Sequence, residues 1–176
     1  LALLGWNPGT EQEIFSMDEL IDAFSLERVG KSGARFDPVK ARWFNHQYLI
    51  RQSDNTLAIE FRDQLRSKGF HIDIVRLERI VGLVRERISF VNELWDQSDF
   101  FFQAPESYDS DTIRKRWKEG TAEQLTQLKE ILENVRDFSP AETEEAVKQW
   151  ISEKSYNTGA IMNALRLVIV GASRGP

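Results

Sequence analysis

One stripe of apolar residues runs through residues 72–95 at helical spacing: Leu77, Ile80, Val81, Val84, Ile88, Val91 and Trp95 recur at steps of three and four. A stripe of that width has to be buried, so the chain is constrained to fold as helices packed on helices. At about 100° of turn per residue, the same helix would carry Arg76, Arg79 and Arg87 along one flank, beside Leu83, Phe90 and Leu94. Arg85 would stand on the opposite flank. Two readings of the arginine flank are open: a solvated edge salt-bridged by Glu78 and Glu86, or a surface for phosphates and unstacked bases.

The remaining segments read as further helices with recognisable starts and stops. Residues 1–6 look like the tail of a helix closed by Gly5, followed by an Asn7-Pro8-Gly9 turn. Ser16-Met-Asp-Glu19 has the form of a capping box and opens a short helix through Phe24. Residues 25–36, with Gly30, Ser32 and Gly33, read as an exposed loop in which Arg28, Lys31 and Arg35 offer charge. Asp37-Pro38 starts a helix to Ile50 whose rings, Trp43, Phe44 and Tyr48, are expected mostly in the core, with Asn45 bonding a backbone group.

Leu57, Phe61 and Leu65 form the next stripe, ended by Gly69 ahead of a start near Asp73. Phe100-Phe101-Phe102 cannot share one helix face and read as a plug where two helical layers meet. Asp109 caps a helix through Trp117 that Gly120 stops; Thr121-Ala-Glu-Gln124 and Ser139-Pro140-Ala-Glu142 read as two more capping boxes. A last helix after Asn157-Thr158 carries Ile161, Leu165, Val168 and Ile169 to Gly171, with Arg166 projecting from it. No strand-like alternation of useful length occurs, so the fold class expected is all-α.

The 41% hydrophobic content of 176 residues suffices for one domain or for two or three small subdomains. The absence of cysteine removes thiolate catalysis and cysteine-based metal sites, and His46 and His71 read as surface or hydrogen-bonded residues rather than ligands. No apolar run approaches bilayer-spanning length and no charged leader precedes one, so a soluble, cytoplasmic protein without a membrane partner is expected. The sequence opens without methionine and stops just after a helical segment, which suggests a piece of a longer protein.

The net charge of -5 argues against indiscriminate nucleic-acid binding. Its distribution is more informative. Residues 1–27 hold six acids and no base, whereas in residues 28–51 Arg28, Lys31, Arg35, Lys40, Arg42 and Arg51 face Asp37 alone. A second basic knot, Arg114-Lys115-Arg116 with Lys118, precedes an acidic stretch. Such islands suit one shaped polyanion. No nucleotide-cradling glycine loop, hydrolase elbow, zincin helix or kinase signature occurs, and pairs such as Glu144-Glu145 read as solvated charge. A binding module is the class this leaves, with no catalytic and no metal-binding residue expected.

Residues 1–9, Leu-Ala-Leu-Leu-Gly-Trp-Asn-Pro-Gly, are followed in order by Glu13-Ile-Phe-Ser-Met-Asp-Glu-Leu20, Phe24-Ser-Leu-Glu-Arg28-Val, Lys31-Ser-Gly-Ala-Arg35-Phe-Asp-Pro38-Val-Lys40 and Trp43-Phe-Asn45-His-Gln-Tyr48. Together these resemble, over the first third of the chain, the segment after the catalytic domain of bacterial glutamyl-tRNA synthetases, class I aminoacyl-tRNA synthetases. Leu165-Arg166-Leu-Val-Ile-Val-Gly171, leading to Gly175-Pro176, is similar to the last shared motif of that family. The middle matches mainly as a helical pattern around Arg85-Glu86-Arg87.

The resemblance implies that residues 1–53 belong to the stem-contact fold, that residues 54–101 form a first anticodon-binding subdomain, and that residues 102–176 form a second, truncated one. It implies tRNA(Glu) as partner, with tRNA(Gln) accepted or refused according to an arginine near Arg85-Arg87 that inspects the third anticodon base. Arg85, Arg87 and Arg166 are thereby implied as anticodon-binding: the third-base position falls on Arg87 or Ser89, and Arg166 resembles the residue that meets the first base. Arg28, Lys31, Arg35, Lys40 and Arg42 would hold the tRNA backbone. The ATP-binding signatures are absent, so ATP, magnesium and glutamate ligation belong to the parent enzyme; no cofactor is expected here, and a monomer is. The family continues past Gly175-Pro176 into a segment that adds an anticodon contact, so affinity here is expected to suffer. The competing expectation is a helical protein–protein interaction module, whose binding would change little with salt.

Overall fold

A computed structural model describes residues 2–31, 33 and 35–173; Leu1, Ser32, Ala34 and Gly175-Pro176 of the motifs above lie outside the described residues. The chain divides into two compact units, Leu1–Gln97 and Ser98–Pro176. Among the described residues the regular structure is helical, with one isolated antiparallel bridge between Trp6 and Val29, so the class is all-α as the sequence implied.

In the first unit, Ala2–Leu4 makes only a 3-10 turn, and Gly5 is used differently from a helix stop: its carbonyl accepts from the Gly30 amide at 2.8 Å. The Asn7 side chain accepts from the Gly9 amide at 2.6 Å, and Gly9 adopts φ +76°. α1 (Met17–Ala23) starts at the expected capping box: Ser16 Oγ accepts from the Glu19 amide, and the Glu19 carboxylate accepts from the Ser16 amide at 2.6 Å. α2 (Pro38–Leu49) is capped by Asp37, whose carboxylate accepts from the amides of Val39 and Lys40.

These two helices bury little. α1 buries no residue and α2 only Leu49, while Trp43 and Tyr48 are 41% and 40% exposed. The expectation that the α2 rings are core is therefore corrected. Trp43 stands about 120° around the helix from Leu49 and so lies off the buried side. Tyr48 instead works through its hydroxyl, which donates to the Phe15 carbonyl at 2.8 Å and accepts from the Phe15 amide at 3.2 Å, fixing the buried Phe15.

The core of this unit is the pair α3 (Asp54–Ser67) and α4 (Ile74–Val84), which pack on each other. α3 contributes Leu57, Ala58, Phe61 and Leu65, and α4 contributes Leu77, Ile80, Val81 and Val84, all buried. Each large member is worth about 1.5–3 kcal/mol relative to exposure. α3 ends with Gly69 at φ +86°, the Phe70 amide reaching back to the Leu65 carbonyl and the Gly69 amide to that of Arg66, as in a Schellman stop.

The single long helix expected over residues 72–95 is not what forms. The chain leaves the helix at Val84 (φ -121°, ψ -15°), makes a 3-10 turn over Arg85–Arg87 and runs extended at Ile88 and Phe90. It re-enters helix through a 3-10 turn at Val91–Glu93 and α5 (Leu94–Ser98). The cause is the Glu93 carboxylate, which accepts from the amides of Ser89 at 2.7 Å and Phe90 at 3.3 Å and so caps a new start. The apolar stripe survives the break because Ile88 and Leu94 are both fully buried. Leu94 is thus core rather than part of an arginine flank.

In the second unit, Phe100 and Phe101 pack ring to ring at 4.5 Å and, with Phe102, are half-buried. α6 (Ser110–Arg116) is capped by Asp109, whose carboxylate accepts from Thr112 at 2.6 Å. α7 (Thr121–Glu133) starts at Gly120 with φ +79°, not at Thr121: the Thr121 hydroxyl accepts from the Lys118 amide, so the capping box read there does not form. α8 (Pro140–Glu153) starts at Ser139, which accepts from Glu142, and α9 (Thr158–Val170) at Asn157, which accepts from Ala160. Leu128, Trp150, Ile151 and Ile161 form the core here, with Leu125, Val147 and Leu165 partly buried against it. The Asp109 amide donates to the Gly171 carbonyl at 2.8 Å, tying the start of α6 to the end of α9.

Candidate nucleic-acid interface

A cation that is to grip an external phosphate or base has to be left over after the fold has used what it needs. The eight basic residues singled out from the sequence divide on that criterion.

Arg85 is committed to the fold. Its guanidinium donates to the Asp54 carboxylate at 2.8 Å and to the carbonyls of Ile50 at 3.0 Å and Gln52 at 3.3 Å, with Glu86 at 3.6 Å. Its side chain is 26% exposed. The hydrogen bond to Asp54 raises the Arg85 pKa above its already high ordinary value, against a smaller opposing effect of burial. Arg85 therefore fastens the end of α4 to the link between α2 and α3.

Arg42, on α2, pairs with Glu93 at 2.5 Å and lies over the Phe90 ring at 5.4 Å. Lys40 pairs with Glu13 and stands 5.7 Å from the Phe44 ring centroid. Arg28 donates to the Pro8 carbonyl beneath Gly9, where a Cβ would come within 2.8 Å of the guanidinium. Residues 26–29 are accordingly less free than the glycines of that loop suggested, holding a 3-10 turn, Leu26–Arg28, and the Val29 bridge.

Lys31, Arg35 and Arg87 are exposed, and Arg166 is half-buried on α9. Among the described residues none of the four has an ion pair or side-chain hydrogen bond. Arg79 on α4 is likewise exposed and unpaired. Arg76 is exposed but engaged within the chain. Because the helix breaks at Val84, Arg87 does not continue the edge of Arg76 and Arg79, and the arginine flank read from helical spacing is corrected to two separate features. Of the two acids read as bridging that edge, the Glu78 carboxylate accepts from Asn55 and Glu86 meets Arg85. In the basic knot of α6, Arg114 pairs with Asp111 and Lys118 donates to the Arg114 carbonyl, leaving Lys115 and Arg116 outward.

Two residues gain a defined role that the sequence only hinted at. Asn45 donates to the Ser89 carbonyl and His46 Nδ1 meets the Ile88 carbonyl at 2.6 Å, so both hold the extended link next to Arg87. The signal was an amide and an imidazole set among the rings of α2. Ser89, the alternative to Arg87, has its amide and its carbonyl both engaged.

Among the described residues no group of three or more histidine, aspartate or glutamate side chains could hold a metal ion, and no helix is long and apolar enough to cross a membrane. A cavity of about 710 Å³ in the second unit is lined chiefly by apolar side chains, including Trp117, Leu125, Leu132, Val135, Phe138 and Val168.

The chain is 51% identical to a glutamate–tRNA ligase of Porphyromonas gingivalis and 51% identical to one of Flavobacterium johnsoniae, in each case over 100% of this chain and 35% of the relative. A crystal structure of a glutamate tRNA ligase from Elizabethkingia meningosepticum superposes with a TM-score of 0.93 at 38% identity, and one from Elizabethkingia anophelis with 0.88 at 35%. These cover 99% of this chain and 35% and 34% of those chains. The chain thus spans about a third of the length of the relatives it matches. A family model described as "Anticodon binding domain" matches residues 56–176, from within α3 through α9, and the chain belongs to that family.

Proposed function

We propose that this chain is the tRNA-binding, anticodon-inspecting part of a glutamate–tRNA ligase. The parent enzyme attaches glutamate to tRNA(Glu) with ATP and magnesium in the cytoplasm, and this chain, a monomer, selects and positions the tRNA while taking no part in the chemistry. Residues 1–53 serve the stem-contact side, residues 54–101 the first anticodon-binding subdomain and residues 102–176 the second. The observation that carries the reading is the contrast between neighbours on one 3-10 turn: Arg85 is bonded to Asp54 and to the carbonyls of Ile50 and Gln52, while Arg87 is exposed with its guanidinium unspent.

A planar guanidinium held that way can fork onto a base edge or stack on a splayed base. Arg87 therefore meets the third anticodon base and Arg166 the first. Arg85 acts through Arg87 by fixing the turn. Lys31 and Arg35 hold phosphates directly. Arg28, Lys40 and Arg42 can reach a phosphate only by exchanging the partners they already have, so they contribute less to affinity.

Filter binding with tRNA(Glu), tRNA(Gln) and an anticodon-swapped transcript at two ionic strengths tests this. Arg87→Ala should lose about 5- to 150-fold of the discrimination at one anticodon position, the range for a bidentate base contact. Lys31→Ala and Arg35→Ala should weaken all transcripts alike and each lower the salt slope by about one. A loss on Arg87→Ala that is equal for all transcripts would sink the assignment of Arg87.

The apolar cavity beside Phe138, which is 70% exposed, favours a second reading as a protein-interaction module. That reading requires binding to a protein partner that is insensitive to salt, and RNA affinity too weak to follow anticodon sequence.

A further inference from the structure

The extended link after Arg87 has neither a helix nor a strand ladder to satisfy its backbone, and α2 supplies most of what it needs. The Ile88 carbonyl meets His46 Nδ1 at 2.6 Å and the Ser89 carbonyl accepts from the Asn45 amide group. The amides of Ser89 and Phe90 donate to Glu93 Oε2, at 2.7 and 3.3 Å, and Glu93 Oε1 is held by Arg42 at 2.5 Å. Arg42, Asn45 and His46 lie at i, i+3 and i+4, on one face of α2. On the other side of Arg87, the Arg85 guanidinium is bonded to the Ile50 and Gln52 carbonyls just beyond the end of α2. Arg87 is therefore suspended between two fixed points, both on α2 or its exit.

We propose that Asn45 and His46 are positioning residues for base discrimination: they touch no RNA, but they set where the Arg87 guanidinium stands. The proposal rests on Arg87 reading a base. A carbonyl can only accept, so His46 carries a hydrogen on Nδ1. The consequence is that α2, which itself carries Lys40, also holds the link beside the base-reading residue, so that one backbone-facing cation and Arg87 share a frame. A tRNA whose backbone is seated in register then finds Arg87 already placed, which is how a backbone contact comes to influence base choice.

The test compares Arg87→Ala, the double variant Asn45→Ala/His46→Ala, the near-isosteric Asn45→Asp and the conservative His46→Asn, all in the full chain. Each is measured for binding to tRNA(Glu) and to a transcript altered at the third anticodon base, and for hydrogen exchange of peptides covering residues 85–90 and residues 57–65. The double variant should speed exchange at 85–90 by about thirtyfold, the loss of two net hydrogen bonds, and leave 57–65 unchanged. It should also lose most of the discrimination that Arg87→Ala loses, with the altered transcript bound as before. Asn45→Asp, which replaces the donor by an acceptor, should do the same in part, and His46→Asn should restore much of it.

Full discrimination in the double variant alongside a loss in Arg87→Ala overturns the positioning role. Retained discrimination in Arg87→Ala itself overturns the reading of Arg87 and this proposal with it, and the exchange data then separate the two failures by reporting whether α2 holds the link at all. A variant that speeds exchange at 57–65 has lost the core, and Asn45→Asp then decides the question.

Discussion

The division of labour between Arg85 and Arg87 makes a quantitative demand on stability. Arg85→Ala removes an ion pair with Asp54 and hydrogen bonds to the Ile50 and Gln52 carbonyls. With Arg85 26% and Asp54 39% exposed, the ion pair is worth about 0.5 kcal/mol, and each carbonyl bond to the charged donor about 1 kcal/mol after allowing for rehydration. The cost should be about 2.5 kcal/mol, borne by the first unit. For a unit of this size, Leu1–Gln97, that lowers its melting midpoint by roughly 10–20 °C. Arg85→Lys keeps a point charge but loses the fork and should cost about 1 kcal/mol. Arg87→Ala, with nothing to lose inside the chain, should stay within about 0.5 kcal/mol of the parent. Urea unfolding followed by hydrogen exchange of α3 and α4 peptides reads this unit alone. Equal costs for the two alanine variants, or a neutral Arg85→Ala that abolishes anticodon discrimination, would refute the argument that one arginine fastens the turn and the other is offered to RNA.

In the second unit, Gly171→Ala should cost about 3 kcal/mol in urea unfolding: the residue sits at φ +78° and its Cβ would lie 2.6 Å from the Ser107 carbonyl oxygen and 3.0 Å from Pro105 Cβ, so relief requires opening the Asp109–Gly171 tie. Ser155→Gly should move the other way by about 0.5–1 kcal/mol, because Ser155 occupies φ 55° in the stop after α8, where the Tyr156 amide reaches back to the Ile151 carbonyl. Burial pushes the Glu93 pKa up, but the amides of Ser89 and Phe90 and the Arg42 guanidinium outweigh it, so the net shift is downward. A carboxylate depressed in the folded state stabilises above its unfolded pKa and loses that contribution as pH falls through the lower folded value. The stability gap between the parent and Glu93→Gln should therefore be widest near neutral pH and close below the ordinary carboxylate range, as urea unfolding across that span would read; a gap independent of pH would contradict the network.

Much of the helix inventory was legible because it is written locally. Ser16, Asp37, Asp73, Asp109, Ser139 and Asn157 each accept from an amide one turn in, and Gly69 and Gly171 close the helices they follow with positive φ. Residues 72–95 depart from the helix their spacing predicts because burial and helicity are separate properties there. The stripe from Leu77 to Ile88 is buried throughout, yet Ile88 reaches the core from extended backbone. The competing signal was Glu93 four residues after Ser89, a carboxylate placed to take two amides, which outweighs continued helix only because Arg42 and α2 are there to steady it. The α2 rings failed for a related reason: Trp43 and Tyr48 are apolar enough for a core, but the one face of α2 that is buried carries Leu49.

The candidate site was legible as composition and illegible as availability. Counting bases picks out Arg28, Lys40, Arg42 and Arg85 as readily as Lys31, Arg35, Arg87 and Arg166, because a sequence does not show which carboxylate or carbonyl folds against which cation. The partners lie far off in the chain: Glu13 for Lys40, Glu93 for Arg42, Asp54 with Ile50 and Gln52 for Arg85. Those pairings do not simply subtract from an RNA surface. An exposed arginine on a mobile turn would surrender conformational entropy on binding, whereas one whose flanking residues are already bonded has lost part of it during folding. On the proposed reading of Arg87, the cations spent on structure next to it are thus what would let an unspent guanidinium there discriminate between bases instead of merely attracting phosphate.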